Sequence, residues 1–252
     1  MQRLPQRVGG LAVTPAVALD ALPPDFILAL LYAEDPRFLQ HGGIDPWAIR
    51  LAISRYVETG GPIVGASTLS QQLAKNFFLH SDRSLSRKIA EALYARRLEH
   101  HFTKAELLTL YVNNIEWGPD VFGVAAAAAH HLATPPDALD ALQCAYLVAL
   151  VPDPLRRAAT APPFPSARDR YRRVAAALGV ARRHPALRAY FAARGDERLA
   201  LLKPIDLRAV LGGLGRSPEA RASSAIRRSL DGRFWALVEA RWEEFERRSR
   251  RQ

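Results

Sequence analysis

The stretch LLYAEDPRFLQHGG, residues 30–43, decides how this chain is read. An apolar run ends in two adjacent acids, Glu34 and Asp35, then turns through Pro36 towards His41 and a glycine pair. Its opening, PPDFILALLYAE, carries prolines suited to a first helical turn and an apolar body of buried-helix length. A carboxylate is disfavoured at a helix C-terminus, where the macrodipole is negative. Stability alone therefore does not recommend the acids. A carboxylate whose charge the helix end disfavours, placed before a turn that exposes it, suits general acid or base work on a sugar hydroxyl or glycosidic oxygen. The other reading is structural: Asp35 caps the following turn and His41 is a hydrogen-bonded histidine of the fold.

Outward from this stretch the pattern stays helical. DPWAIRLAISRYVE stops at Gly60–Gly61–Pro62. TLSQQLAKNFFL opens with Thr68 and Gln71 in capping-box spacing and carries an apolar stripe of Leu69, Leu73 and Phe77. SLSRKIAEALYARRLEHHF is a long amphipathic helix, and TKAELLTLYVNNIEWG follows with a second box, Thr103 and Glu106, and a stop expected at Gly118. FGVAAAAAHH and DALDALQCAYLVALV read as core helices, and SARDRYRRVAAALG starts at Ser166 and Asp169. Beyond residue 180 the helices continue in an Arg/Ala-rich texture. No alternating strands and no fixed-period repeat stand out, so the fold class expected is mostly α.

The totals are those of a globular chain long enough to bury a core, with 49% hydrophobic and 24% charged residues over 252 positions. A single cysteine, Cys144, excludes an intramolecular disulfide and sits in LQCAYLVALV as a small buried hydrophobe. Charge is uneven. Residues 1–150 hold 12 Lys/Arg against 14 Asp/Glu, and residues 151–252 hold 23 against 11, so the net +10 belongs to the C-terminal part. Such an excess speaks to anionic partners, a membrane surface or nucleic acid, and not to fold. Nothing approaches the roughly 18 to 20 apolar residues of a membrane span. The N-terminal VGGLAVTPAVAL is a poor signal h-region because of its glycines and Pro15.

Three further motifs can carry chemistry. GASTLSQQLAKN, residues 65–76, sets Ser67 and Thr68 at a helix start with Gln72 and Lys75 in the following turns, a candidate phosphate cradle. It is not the GxxxxGK[ST] nucleotide loop, and ordinary capping explains the two hydroxyls but neither Gln72 nor Lys75. SRKIAEAL can bring Arg87, Lys88 and Glu91 to one helix face, which most often means a solvated ion-paired surface. LYVNNIEWG contains Asn113, for which bracing of neighbouring elements is the simplest role.

Taken in order, these blocks resemble the peptidoglycan glycosyltransferases, glycosyltransferase family 51. That family carries EDxxFxxHxG, GGSTxxQQ, RKxxE, KxxxLxxYLNxxxxG and an arginine-containing helix. This chain has EDPRFLQHGG, GASTLSQQ, RKIAE, KAELLTLYVNNIEWG and, more loosely, RDRYRRV, over roughly residues 13–179. NNIEWGPDVFGV is most similar to the monofunctional biosynthetic transglycosylase branch. The resemblance implies a lysozyme-like helical lobe with a smaller membrane-facing jaw, a glycosyltransferase domain over 1–180, and an extra helical region of unknown role over 181–252. It implies Glu34, Asp35 and Glu91 as catalytic carboxylates, with Glu34 the base. Phe38, His41, Ser67, Thr68, Gln72, Lys75, Arg87, Lys88 and Asn113 would bind substrate.

The partners so implied are lipid II and the growing glycan chain, the membrane surface and other cell-wall synthesis proteins, with no nucleic acid. The location implied is the outer, periplasmic face of the cytoplasmic membrane, peripheral in the chain as given, with an anchor conceivable upstream of Met1. Glu91 would orient the reacting groups or a divalent cation, Mg or Mn, and no organic cofactor is called for. Membrane contact is expected near Ile63, Val64, Phe77 and Phe78, aided by the basic C-terminal region. Departures from the pattern are Ala66 for a second glycine, Val112 for leucine, Thr109 where an acid is frequent, and HHLATPPDAL for a more aromatic segment. The rival readings are a lysozyme-like lytic enzyme, which has no use for cations at an anionic leaving group, and a catalytically degenerate membrane-associated scaffold.

Overall fold

The computed structural model describes residues 7–8, 11–12, 16–61, 65–79, 84–151, 166–213 and 217–250. Ile63 and Val64 lie outside the described residues. A two-stranded antiparallel hairpin, β1 (Arg7–Val8) and β2 (Leu11–Ala12), comes first, with Arg7 opposite Ala12. Helices then dominate: α1 (Pro24–Glu34), α2 (Pro46–Thr59), α3 (Leu69–Phe78), α4 (Leu85–His101) and α5 (Lys104–Asn114). A second hairpin, β3 (Glu116–Gly118) and β4 (Val121–Phe122), separates these from α6 (Val124–Leu132), α7 (Ala141–Leu150) and α8 (Ala167–Ala181). The C-terminal part adds α9 (Arg188–Ala192), α10 (Gly195–Leu202), α11 (Leu207–Gly212), α12 (Pro218–Arg228) and α13 (Gly232–Ser249).

Local chemistry sets most of these boundaries. Thr68 with Gln71 and Thr103 with Glu106 close reciprocal capping boxes, so the first free N–H groups of α3 and α5 find partners within four residues. Asp45 caps α2 by accepting from the Trp47 N–H, and Gly60 ends that helix at φ +64°. The expected stop at Gly118 is corrected. The α5 helix ends at Asn114, and Glu116–Gly118 is a strand paired with Val121–Phe122. A hairpin with Asp120 at φ +60° turns the chain so that Trp117 is fully buried against Phe26, ring centroids 5.8 Å apart. Burying an indole outweighs one more helical turn.

The core is built round α1, whose side chains from Asp25 to Leu31 are all buried. Helices α7, α8 and α11 enclose it, while α3 packs on α4 and α5. Residues beyond 180 join the same hydrophobic cluster: Leu187, Tyr190, Leu202, Leu211, Val238 and Phe245 are buried with the lobe. Polar contacts knit the two parts together. Arg182 forms a bidentate pair with the buried Asp25, the Tyr190 hydroxyl donates to the Pro24 carbonyl at 2.6 Å, and Arg198 donates to the Leu22 carbonyl. The C-terminal region thus clamps the start of the helix whose end carries Glu34.

Candidate active site

Glu34 is the last residue of α1 and Asp35 its C-cap, and the two neighbours point to different work. The Asp35 carboxylate is buried and accepts the Leu69 N–H of α3 at 3.0 Å. An acid misplaced at the end of α1 is therefore well placed at the start of α3, where the macrodipole is positive. Both Asp35 oxygens also lie 3.0 Å from His41 Nε2. His41 Nδ1 accepts from the Gly43 N–H at 3.2 Å, so the proton belongs on Nε2 and is donated to Asp35. Lys104 completes the turn: its ammonium donates to the His41 carbonyl and to Glu99, each at 2.7 Å, and lies 4.3 Å from the Phe38 ring centroid. Burial holds the Lys104 ammonium below its ordinary pKa, with Glu99 opposing.

Glu34 is held by both oxygens. Oε1 accepts from Arg170 Nη2 at 2.5 Å, an ion pair with α8 whose side chains are only 17% and 8% exposed. Oε2 accepts from Gln72 Nε2 at 3.2 Å. The Tyr111 hydroxyl donates to Gln72 Oε1 at 2.8 Å, which fixes the orientation of that amide. Burial, then the Glu34 charge, pushes the Tyr111 phenol well up, so it remains a neutral donor.

A second group lies on α4. Glu91 is buried and bonds the Lys88 ammonium, with Arg87 at 3.9 Å from its other oxygen. Lys88 also donates to the Ser67 hydroxyl at 2.8 Å. The segment 65–72 thus links both carboxylates, through Ser67 to Lys88 and through Gln72 to Glu34. Lys75, one turn beyond Gln72, is exposed. The arrangement sets a carboxylate against a bank of cations, which is what a proton acceptor and an anionic leaving group require.

Several residues expected at the substrate are turned inward. The Thr68 hydroxyl donates to the Gly43 carbonyl at 2.7 Å while capping α3. Phe38 and the His41 ring are buried. Asn113 exchanges both amide bonds with the Val17 backbone, at 2.8 and 2.9 Å, and pins the segment before α1. Glu91, where a divalent ion was one expectation, is a single carboxylate paired with Lys88 and Arg87, and no group of three His, Cys, Asp or Glu that could hold a metal stands among the described residues. Sequence reasoning left out Arg170, Tyr111 and Lys104 as site residues. Tyr111 and Lys104 stand inside the fourth block and Arg170 inside RDRYRRV, so the signal was there but the pairing was not.

A transglycosylase family profile matches residues 8–179. The chain is 45% identical over 141 residues to a biosynthetic peptidoglycan transglycosylase of Stutzerimonas stutzeri, covering 56% of this chain and 58% of that one. It is 44% identical over 144 residues to a protein of the same description from Pseudomonas syringae pv. syringae, covering 57% and 61%. For the one from Pseudomonas aeruginosa the figures are 44% over 143 residues, with 57% and 61% covered. The matched part spans about three-fifths of the length of these curated relatives. Five ordered motifs, a helical lobe that links their residues by hydrogen bonds and ion pairs, and a profile match over most of the chain agree: the chain belongs to the transglycosylase family.

Proposed function

We propose that this chain is a peptidoglycan glycosyltransferase that polymerises lipid II into glycan strands by inverting transfer. The observation that carries the reading is Glu34, held by Arg170 and by Gln72 of the segment that also carries Lys75 and meets Lys88 of α4 through Ser67. Glu34 takes the proton from the 4-hydroxyl of the acceptor N-acetylglucosamine. That oxygen forms a bond to the anomeric carbon of the donor chain's N-acetylmuramic acid. The bond from that carbon to the phosphate oxygen breaks, and its electron pair leaves with the polyprenyl pyrophosphate. Lys75, Arg87 and Lys88 offset the charge growing on the leaving group, with Ser67 holding Lys88 and Glu91 orienting both α4 cations. The proton on Glu34 then returns to solvent. No step is routed through a metal.

The cation bank favours transfer over lysozyme-like cleavage, because a hydrolysed glycan has no anionic leaving group to hold. Work at the outer face of the cytoplasmic membrane follows from the substrate. Among the described residues no helix is long and apolar enough to cross a membrane. A membrane-facing jaw finds support in the exposed Trp47, Ile53 and Val57 of α2, Phe78 of α3 and Leu85, Ile89 and Leu93 of α4.

The test is a gel assay with labelled lipid II in detergent, comparing the wild-type chain with Glu34→Gln. Polymer from the first and a loss of at least about a hundredfold from the second is the expected result. A folded wild-type chain that makes no polymer, or a Glu34→Gln variant of undiminished rate, refutes it.

A further inference from the structure

The arginine run of α8 divides its side chains between two elements. Arg168 and Arg172, one turn apart, both bind Glu239 of α13. Arg168 Nη2 lies 2.6 Å from Glu239 Oε2 and 3.1 Å from Glu243 Oε1, and Arg172 Nε donates to Glu239 Oε1. Arg170, between them, is about 200° round the helix and reaches Glu34 instead. A helix has one rotation about its axis, so fixing Arg168 and Arg172 on one side fixes where Arg170 points on the other. The Arg170 Nε is buried and has no hydrogen-bond partner, so Glu34 is the anchor of that guanidinium. The α13 strut is itself secured: Val238, Trp242 and Phe245 are buried, Trp242 packs 5.3 Å from Tyr171 of α8, and Glu246 accepts from Tyr146 at 3.0 Å. Glu239 is held below its ordinary pKa by Arg172 first and Arg168 next, as a carboxylate shared by two guanidinium groups should be.

We infer that Glu239 is a positioning residue: by holding Arg168 and Arg172 it sets the rotation of α8 that presents Arg170 to Glu34. This rests on the proposed function, and it makes α13, which lies beyond the matched residues 8–179, part of the catalytic apparatus.

A double-mutant cycle in the full chain tests it. In the lipid II assay, Glu239→Gln is expected to lower kcat about fivefold with KM unchanged, the scale of two partly exposed ion pairs. In an Arg170→Lys background the same substitution is expected to cost nothing further, since the group it positions is gone. An unchanged kcat in the single variant, or an equal loss in both backgrounds, overturns the inference. A measurement independent of activity separates it from the proposed function: the Arg170 side-chain Nε–H resonance, identified by its loss in Arg170→Lys. In Glu239→Gln that resonance is expected to shift. A resonance that stays in place overturns the inference whether or not the chain polymerises lipid II.

Discussion

Replacing Asp35 by asparagine keeps the size of the side chain and removes its charge, and the structure says which bonds must fail. The carboxylate accepts from the Leu69 N–H and from His41 Nε2, and the Gly43 N–H donates to the other imidazole nitrogen. An asparagine has one acceptor oxygen. If it keeps Leu69, its amide N–H meets the His41 N–H, donor against donor. If His41 changes tautomer to accept, the Gly43 N–H loses its partner. Either way one buried donor is orphaned, at about 1 to 3 kcal/mol. Loss of the negative charge at the start of α3 adds roughly 0.5 to 2 kcal/mol. A total near 3 kcal/mol corresponds to a fall in Tm of about 6 to 12 °C in a chain of this size. Urea unfolding followed by circular dichroism measures the cost directly, and His41→Ala with the double variant completes a cycle. A coupling of about 1 to 3 kcal/mol is expected between the two residues. A cost below about 1 kcal/mol for Asp35→Asn, or strict additivity with His41→Ala, would refute the assigned tautomer and the buried network.

The adjacent glycines of the catalytic turn should respond differently to alanine. Gly43 has φ +93° and a Cβ there would sit 2.9 Å from the Ala95 backbone, whereas a Cβ on Gly42 meets nothing within 4 Å. Gly43→Ala is expected to cost about 2 to 4 kcal/mol and Gly42→Ala less than about 1, by the same unfolding assay. Equal costs would mean that the turn does not press on α4. Glu239 should also mark the acid limb of stability. Its pKa is depressed in the fold below the ordinary 4.5, so its contribution is present above that value and lost as pH falls through the folded one. The stability gap between wild type and Glu239→Gln should hold above the ordinary carboxylate range and narrow as pH falls below it. A gap with no pH dependence on the acid side would assign the effect to packing.

How much of this was legible in the sequence depends on the range of the interaction concerned. Helix starts were readable because Thr68, Thr103 and Ser166 satisfy N–H groups three residues away. The stop of α2 at Gly60 was readable for the same reason. The early end of α5 was not, since it follows from burying Trp117 beside Phe26, 91 positions earlier in the chain.

The same division runs through the site. The ordered motifs singled out Glu34, Gln72, Lys88 and Glu91 through their resemblance to the family, because motif spacing is a property of the sequence itself. They also supplied Arg170 within its arginine run, but not its partner. Only the tertiary structure decided that Asp35 serves the start of α3, that Thr68 and Asn113 turn inward, and that Arg170 meets Glu34 across 136 residues. It also decided that the Arg/Ala-rich end of the chain packs into the lobe, with Glu239 holding two of the four arginines of RDRYRRV on the side of α13. A one-dimensional pattern names the groups able to do chemistry. Which charge meets which is settled by helix rotation and packing, and those depend on contacts between elements far apart in the chain.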